Sequence, residues 1–218
     1  MHPVLKLISE GEHQRLDFKF EVADAGKIAR SLVAFANTDG GRLLIGVKDN
    51  GALAGVRSEE EYYMVDAAAK LYCRPEVGFL VREWTITKKN ILEVIIPKSA
   101  DRPHFALQKD GSWLAYHRID DQNFPVNRIL TQVWKKEKEP AGVCLKFTEV
   151  EQFLLRYLGD NESITISKFI RSTGIQRAKA ERILVKLILL KIIRMHFTEN
   201  STFFTLEPGY RATPESPV

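Results

Sequence analysis

The sequence predicts an α+β protein with two domains, the second mostly helical. Strand-like alternation and helical periodicity follow one another through roughly the first 130 residues, whereas the last third shows three helical stretches and then two strand-like runs. The charge run that begins at Lys135 and ends in Pro140-Ala141-Gly142 interrupts both patterns and predicts a linker over residues 135–142. We therefore expect domains at residues 1–138 and 145–207, with a disordered tail at 208–218.

The N-terminal domain is predicted to mix strands and helices. Leu16, Phe18 and Phe20 alternate with polar residues, which is typical of a half-buried strand. A helix is predicted at residues 25–36, where Ile28 and Leu32 are at helical spacing. Further elements are expected as a β-type run at 42–48, a turn at 49–51, a helix at 59–71 and strands at 81–87, 91–96 and 113–118.

The C-terminal domain is predicted to contain a helix-turn-helix followed by a hairpin. Helices are expected at 149–158, 166–172 and 176–191, with Thr173-Gly174 as the turn between the last two. Strands are expected at 192–197 and 202–206, joined by a turn at 198–201. This order of elements predicts a winged helix.

The third of these helices is the most basic stretch of the chain. Between positions 176 and 194 there are six Lys or Arg residues and one acidic residue. The second helix of a helix-turn-helix enters the major groove, so its exposed positions should be basic or hydrogen-bonding. The residues that fit are Gln176, Arg177, Lys179, Arg182 and Lys186. A solvated helix face, or a winged helix that contacts only proteins, is the alternative interpretation.

Composition excludes several classes of protein. With 44% apolar and 28% charged residues the chain is expected to fold, and no apolar run is long enough to span a bilayer. The N-terminus lacks the pattern of a secretion signal, so we expect a cytoplasmic protein. Cys73 and Cys144 have no companions at zinc-ligand spacing. The net charge of +4 is weak evidence for a polyanionic partner.

Motifs of common catalytic sites are missing from the sequence. There is no H-x-x-x-H pair, no G-x-S-x-G and no G-x-x-x-x-G-K-[ST], so zinc or serine hydrolysis and ATP binding through a P-loop are not expected. Gly40, Gly41 and Gly46 are better explained by a helix end and close backbone packing. Trp84, Trp113, Tyr116 and Phe124 are of the type that stacks on bases, but their alternation with aliphatic residues favours core packing.

The N-terminal half resembles a known family. The segments 16–19, 34–41 and 44–51, with Gly55-Val56, are similar to the Schlafen/AlbA-type DNA-binding domain, and looser similarity extends over about residues 5 to 130. Members often carry a C-terminal winged helix and are described as predicted transcriptional regulators of prokaryotic type, some of them as ATP-binding. The resemblance therefore implies a nucleic-acid partner.

The same resemblance implies three candidate catalytic or metal-binding carboxylates. RNA-cleaving relatives use two acids at the entry to the first strand and one after the glycine-rich strand, which correspond here to Glu12, Asp17 and Asp49. Converging carboxylates suit Mg²⁺ or Mn²⁺. The second position is usually Glu in the family, so Asp17 shortens that side chain by one methylene. Without this chemistry, each of the three acids has an ordinary role in a turn, a cap or a strand pair.

These observations lead to three hypotheses of function. The first is a protein without enzymatic activity that binds nucleic acid, DNA in preference to RNA, and regulates transcription, with no cofactor. The second is a metal-dependent endoribonuclease using Glu12, Asp17 and Asp49, and the third is a protein-interaction module. Winged-helix proteins and their relatives often work as dimers, so a homo-oligomer stays an open alternative, and no heptad or apolar stripe in the sequence fixes its stoichiometry.

Overall fold

A computed structural model describes residues 2–56, 59–138, 147–198 and 201–210. The chain divides into two compact units, Met1–Val126 and Asn127–Val218, referred to below as unit 1 and unit 2. The α+β fold class predicted from the sequence is confirmed. None of the helices within the described ranges is long and apolar enough to cross a membrane.

Unit 1 is built on a four-stranded mixed sheet with the strand order β1-β2-β5-β4. β1 and β2 are parallel, and α2 connects them, whereas β5 pairs antiparallel with both β2 and β4. A three-stranded sheet of order β3-β6-β7 and a β8-β9 hairpin complete the unit. The helices are α1 (Pro3–Glu10), α2 (Ala25–Asn37) and α3 (Glu60–Leu71), and the strands are β1 (Leu16–Lys19), β2 (Gly41–Ile45), β3 (Cys73–Arg74), β4 (Leu80–Ile86), β5 (Lys89–Ile96), β6 (Phe105–Leu107), β7 (Trp113–Leu114), β8 (Tyr116–Ile119) and β9 (Gln122–Pro125).

Helix α2 supplies most of the apolar core of unit 1. Asp24 caps its first turn by accepting hydrogen bonds from two backbone amides, which satisfies donors that have no partner inside the helix. Ten of its thirteen residues are buried, and they pack against the sheet together with residues of α3. A second, smaller cluster on the other face of the sheet includes Val4 of α1, Phe18 and Ile91.

Two glycines at the end of α2 fit the close packing that the sequence predicted for them. Gly40 has a φ of 68°, and a Cβ atom there would lie 2.7 Å from the backbone nitrogen of Lys98. A Cβ atom at Gly41 would lie 2.3 Å from the ring of Phe35. Only glycine allows the backbone to approach at these two positions.

The described part of unit 2 has four helices and a three-stranded antiparallel sheet of order β10-β12-β11. The helices are α4 (Arg128–Lys136), α5 (Glu149–Asp160), α6 (Ile166–Thr173) and α7 (Arg177–Leu189), and the strands are β10 (Ile164–Thr165), β11 (Ile193–Phe197) and β12 (Thr202–Leu206). A single cluster with Leu154, Phe169, Leu184 and Phe204 forms the core.

Helix α4 differs from the sequence-based prediction of a linker beginning at Lys135. Ile129 and Val133 are buried in the core of unit 2, while the lysines of the charge run lie exposed at its end. An amphipathic nine-residue helix therefore extends into the segment that composition alone marked as a linker. Part of that linker, two residues of the expected 198–201 turn and most of the expected tail lie outside the described residues.

Candidate nucleic-acid interface

The α6-turn-α7 segment presents one face of α7 to solvent. Gly174, in the left-handed conformation that residues other than glycine rarely adopt, ends α6, and Gln176 forms the N-cap of α7. The apolar side of α7, with Ala180, Leu184 and Leu187, is fully buried in the core of unit 2. The opposite side of α7, with Lys179 and Arg182, is exposed.

Four of the five residues that the sequence analysis singled out are exposed: Gln176, Arg177, Lys179 and Arg182. Within the described residues, Lys179 and Arg182 have no acidic partner, and the Arg182 side chain donates only to the carbonyl oxygen of Ala178. Arg177 is 70% exposed, but its Nε lies 3.1 Å from Oε1 of the buried Glu181. The two unpaired cations therefore lie one turn of helix apart on the exposed side.

Lys186 has different surroundings from the other four. Its ammonium group donates to Glu151 over 3.0 Å, and its side chain is 29% exposed. Glu151 also closes a capping box with Thr148 at the start of α5. Burial alone would raise the pKa of the Glu151 carboxyl, but hydrogen bonds from Thr148 and Lys186 outweigh it and lower that pKa. Lys186 thus stabilises unit 2 and is not free for a ligand.

Helix α6 adds two exposed cations that the sequence analysis did not single out. Lys168 and Arg171 are three residues apart on this helix, and both are exposed. The signal in the sequence was their spacing around the buried Phe169. It was overlooked because the second helix of the motif was more basic.

The structure brings two of the three candidate carboxylates together in unit 1. Glu12 accepts a hydrogen bond of 2.7 Å from the backbone amide of Phe18, and its carboxyl lies beside that of Asp17. Burial raises the pKa of the Glu12 carboxyl, and the neighbouring Asp17 raises it further. The Glu12 carboxyl therefore keeps its proton to a higher pH than an isolated glutamic acid does.

Asp17 is 4% exposed and surrounded by donors. Lys19 Nζ lies 2.8 Å from its Oδ2, and Arg118 Nη2 lies 3.5 Å from its Oδ1. Ser31 donates to the same carboxylate over 3.4 Å. The charge of Asp17 is therefore balanced by two cations of the protein itself.

Asp49 does not join this pair. It follows β2 in an exposed turn in which the Gly51 amide donates to the Lys48 carbonyl. In the ranges that the structure describes, no three His, Cys, Asp or Glu side chains are placed to hold a metal ion. Because Asp17 is already paired with cations and Glu12 with Asp17, the arrangement does not fit a three-carboxylate magnesium or manganese site, and no metal-dependent step follows from it.

Asn37, the last residue of α2, connects distant parts of unit 1 and was not among the predicted site residues. Its side-chain amide donates to the carbonyl oxygens of His104 and Tyr116, both over 2.9 Å, and its Oδ1 accepts from the His104 amide. Asn37 is fully buried, so its three hydrogen bonds replace those that water would make. The motif at residues 34–41 therefore has an architectural role.

Comparison with known proteins gives a family match for unit 1. A family model described as Schlafen, AlbA_2 matches residues 12–127, more than half of the chain. A search of the curated proteins found none that matches.

Two solved structures are similar to part of the chain. The DIP2311 protein from Corynebacterium diphtheriae is 18% identical with a TM-score of 0.45, over 66% of this chain and 33% of that one. The N-terminal domain of a RecG-related protein from Nitrosomonas europaea is 21% identical with a TM-score of 0.40, over 59% of this chain and 94% of that one. The chain thus covers about a third of the first of these proteins.

Proposed function

Because the chain belongs to the Schlafen, AlbA_2 family through residues 12–127, we propose that it binds nucleic acid, with duplex DNA as the preferred ligand and transcriptional regulation as its role. The observation that carries the proposal is the exposed side of α7, where Lys179 and Arg182 lack acidic partners among the described residues. Cations placed in this way are available to phosphate oxygens without first breaking an ion pair.

We further propose that unit 2 is a winged helix with α7 as its recognition helix. Three helices, a short turn between the last two and an antiparallel sheet that includes the β11-β12 hairpin are the elements of that fold. In complexes of such domains, the N-terminal residues of the recognition helix contact base edges. Gln176 has this position, because it is the N-cap of α7. The exposed Lys168 and Arg171 of α6 add to the positive charge near the phosphate backbone.

The test measures the affinity of the full chain for labelled duplex DNA by fluorescence anisotropy at several salt concentrations. The variant Lys179→Ala/Arg182→Ala is compared with a matched control, Lys6→Ala/Arg156→Ala, which removes two exposed cations from other helices. Because each phosphate contact contributes about one unit to the salt slope, the first variant should lose about two units of slope and roughly tenfold or more in affinity. Equal losses in both double variants would refute α7 as the contact surface.

We assign no second function to the carboxylates of unit 1, because no three His, Cys, Asp or Glu side chains among the described residues are placed to hold a metal ion. The anisotropy samples, repeated with structured RNA and Mn²⁺, are run on a gel afterwards, and we expect intact RNA. Cleavage that disappears in Asp49→Asn would replace the proposal with a nuclease. If the parent chain does not bind nucleic acid, and the α7 variants do not differ from it, the result would instead favour a protein-interaction role for unit 2.

A further inference from the structure

The three-stranded sheet β3-β6-β7 of unit 1 has one buried face and one outward face. In its register Cys73 pairs with Ala106, and both are buried. The residues next to them point the other way because side chains alternate along a strand. On the outward face Arg74 is the cross-strand partner of Phe105, and Leu107 is the partner of Trp113.

Trp113 does not have the core position that the sequence analysis favoured for it. Tyr116 does pack in the core, and the Trp84 indole donates to the buried Glu93 over 2.8 Å. Trp113, in contrast, is half-buried, and the exposed Arg74 guanidinium lies over its ring, 4.7 Å from the centroid. The prediction was wrong for Trp113 because β7 is only two residues long and forms the edge of its sheet.

A partly exposed indole with a guanidinium over its ring has the chemistry of a base-stacking site. Every base has a π face, so an aromatic ring binds single strands without strong sequence preference, and an arginine adds stacking and a phosphate contact. Lys109 is exposed in the turn that joins β6 to β7 and adds a second cation. The acid of this turn, Asp110, accepts hydrogen bonds from the amide and hydroxyl of Ser112.

We propose that Trp113 and Arg74 form a stacking site for an unpaired base of single-stranded DNA or RNA. The inference rests on the proposed function for its class of ligand, but it assigns a second site, on unit 1, that α7 does not share. A base inside a duplex is stacked on its neighbours and presents no face to Trp113. This site therefore selects single strands, whereas the exposed face of α7 serves the duplex.

The test uses the full chain with Lys179→Ala/Arg182→Ala as the background, so that binding through α7 is weakened. Labelled oligothymidylate, an unstructured RNA and a DNA duplex are titrated by anisotropy, and tryptophan emission is recorded in parallel. Trp113→Ala and Arg74→Ala are compared with Tyr63→Ala and Arg82→Ala, which remove an exposed aromatic ring and an exposed arginine elsewhere in unit 1. The two single-stranded ligands distinguish DNA from RNA as the preferred source of the base.

Stacking of one base is worth enough that Trp113→Ala should weaken single-strand binding about tenfold. Both control variants should bind as the background does. Trp113→Phe keeps an aromatic ring, so it should retain most of the affinity but lose the quenching of tryptophan emission on binding. This second variant tests the proposal even if Trp113→Ala does not fold. Equal affinity of Trp113→Ala and Tyr63→Ala, or unchanged quenching in Trp113→Phe, would overturn the inference.

Failure of the stacking site and failure of the proposed function give different experimental results. Single-strand binding that depends on Trp113, without duplex binding that depends on α7, would leave this site standing and refute the role of α7. The opposite result would refute the stacking site alone.

Discussion

The guanidinium of Arg118 lies against the carboxylate of Asp17 in the interior of unit 1, with 3.5 Å between Nη2 and Oδ1. The Arg118 side chain is completely buried. It also donates to the carbonyl oxygens of His13 and Leu16, each over 3.1 Å, and its guanidinium lies 4.7 Å from the centroid of the Phe35 ring. Through Arg118, strand β8 is thereby hydrogen-bonded to His13, which precedes β1, and to Leu16, the first residue of β1.

Arg118→Met should destabilise unit 1 strongly. Removing one partner of a buried pair leaves the other charge uncompensated, which costs about 3–5 kcal/mol in typical cases. The midpoint of urea unfolding, followed by circular dichroism, measures the loss. Arg82→Met, at an exposed arginine, should change it little. A loss as small as that of the control would mean that Asp17 finds enough compensation from Lys19 alone.

Asn37→Asp should also destabilise unit 1, although the side chains have nearly the same shape. A carboxylate cannot donate to the carbonyl oxygens of His104 and Tyr116, so two buried acceptors lose their partner. With about 1–3 kcal/mol for each unsatisfied group, the variant should unfold at clearly lower urea. Asn161→Asp, at an exposed asparagine of unit 2, is the control. Equal midpoints in the two variants would contradict the bridging role of Asn37.

Glu12→Gln should make stability less dependent on pH. The pKa of Glu12 is raised in the folded protein, so this group favours folding below about pH 4.5 and loses that contribution as pH rises through the raised value. Gln resembles the protonated acid and still accepts from the Phe18 amide. The variant should match the parent near pH 4 and exceed it at pH 7 in thermal unfolding. The idea fails if the variant is less stable than the parent at pH 7.

Lys186→Ala should separate stability from binding on α7. It removes the partner of Glu151, so unit 2 should lose stability at neutral pH while affinity for duplex DNA stays within about twofold of the parent. Because the pKa of Glu151 is lowered, its contribution is present above about pH 4.5 and disappears as pH falls through the lowered value. Parent and variant should therefore converge in acid. A loss of affinity as large as that of Lys179→Ala would show that Lys186 contacts the ligand.

The order of the main elements was predictable because their patterns are local. The α2 helix and the strands β1, β4, β5 and β12 follow from apolar periodicity within each segment, and the structure has them within about two residues of the expected positions. Helix α4 was missed because the prediction ended the regular elements of the N-terminal domain at residue 118 and placed Lys135 and Lys136 in the linker. The buried Ile129 and Val133 that hold it in place acquire partners only through tertiary contacts.

The candidate sites were predictable only in part, for a physical reason. Sequence reasoning found the basic face of α7 but grouped Lys186 with Lys179, because spacing does not show that Glu151, 35 residues earlier, neutralises the former. It placed Trp113 in the core because alternation cannot show that a strand is an edge. Similarly, the family pattern identified Glu12, Asp17 and Asp49, but it cannot show that Asp17 is paired with Arg118, which is 101 residues later in the chain.

The pairing of Asp17 with Arg118 also has a consequence for synthesis of the chain. The partner that balances this buried acid is 101 residues later, so β1 cannot reach its final environment until β8 has left the ribosome. The parallel β1-β2 pair adds another contact between segments distant in sequence. Unit 1 is therefore expected to complete its fold late during translation, after most of its chain has been synthesised.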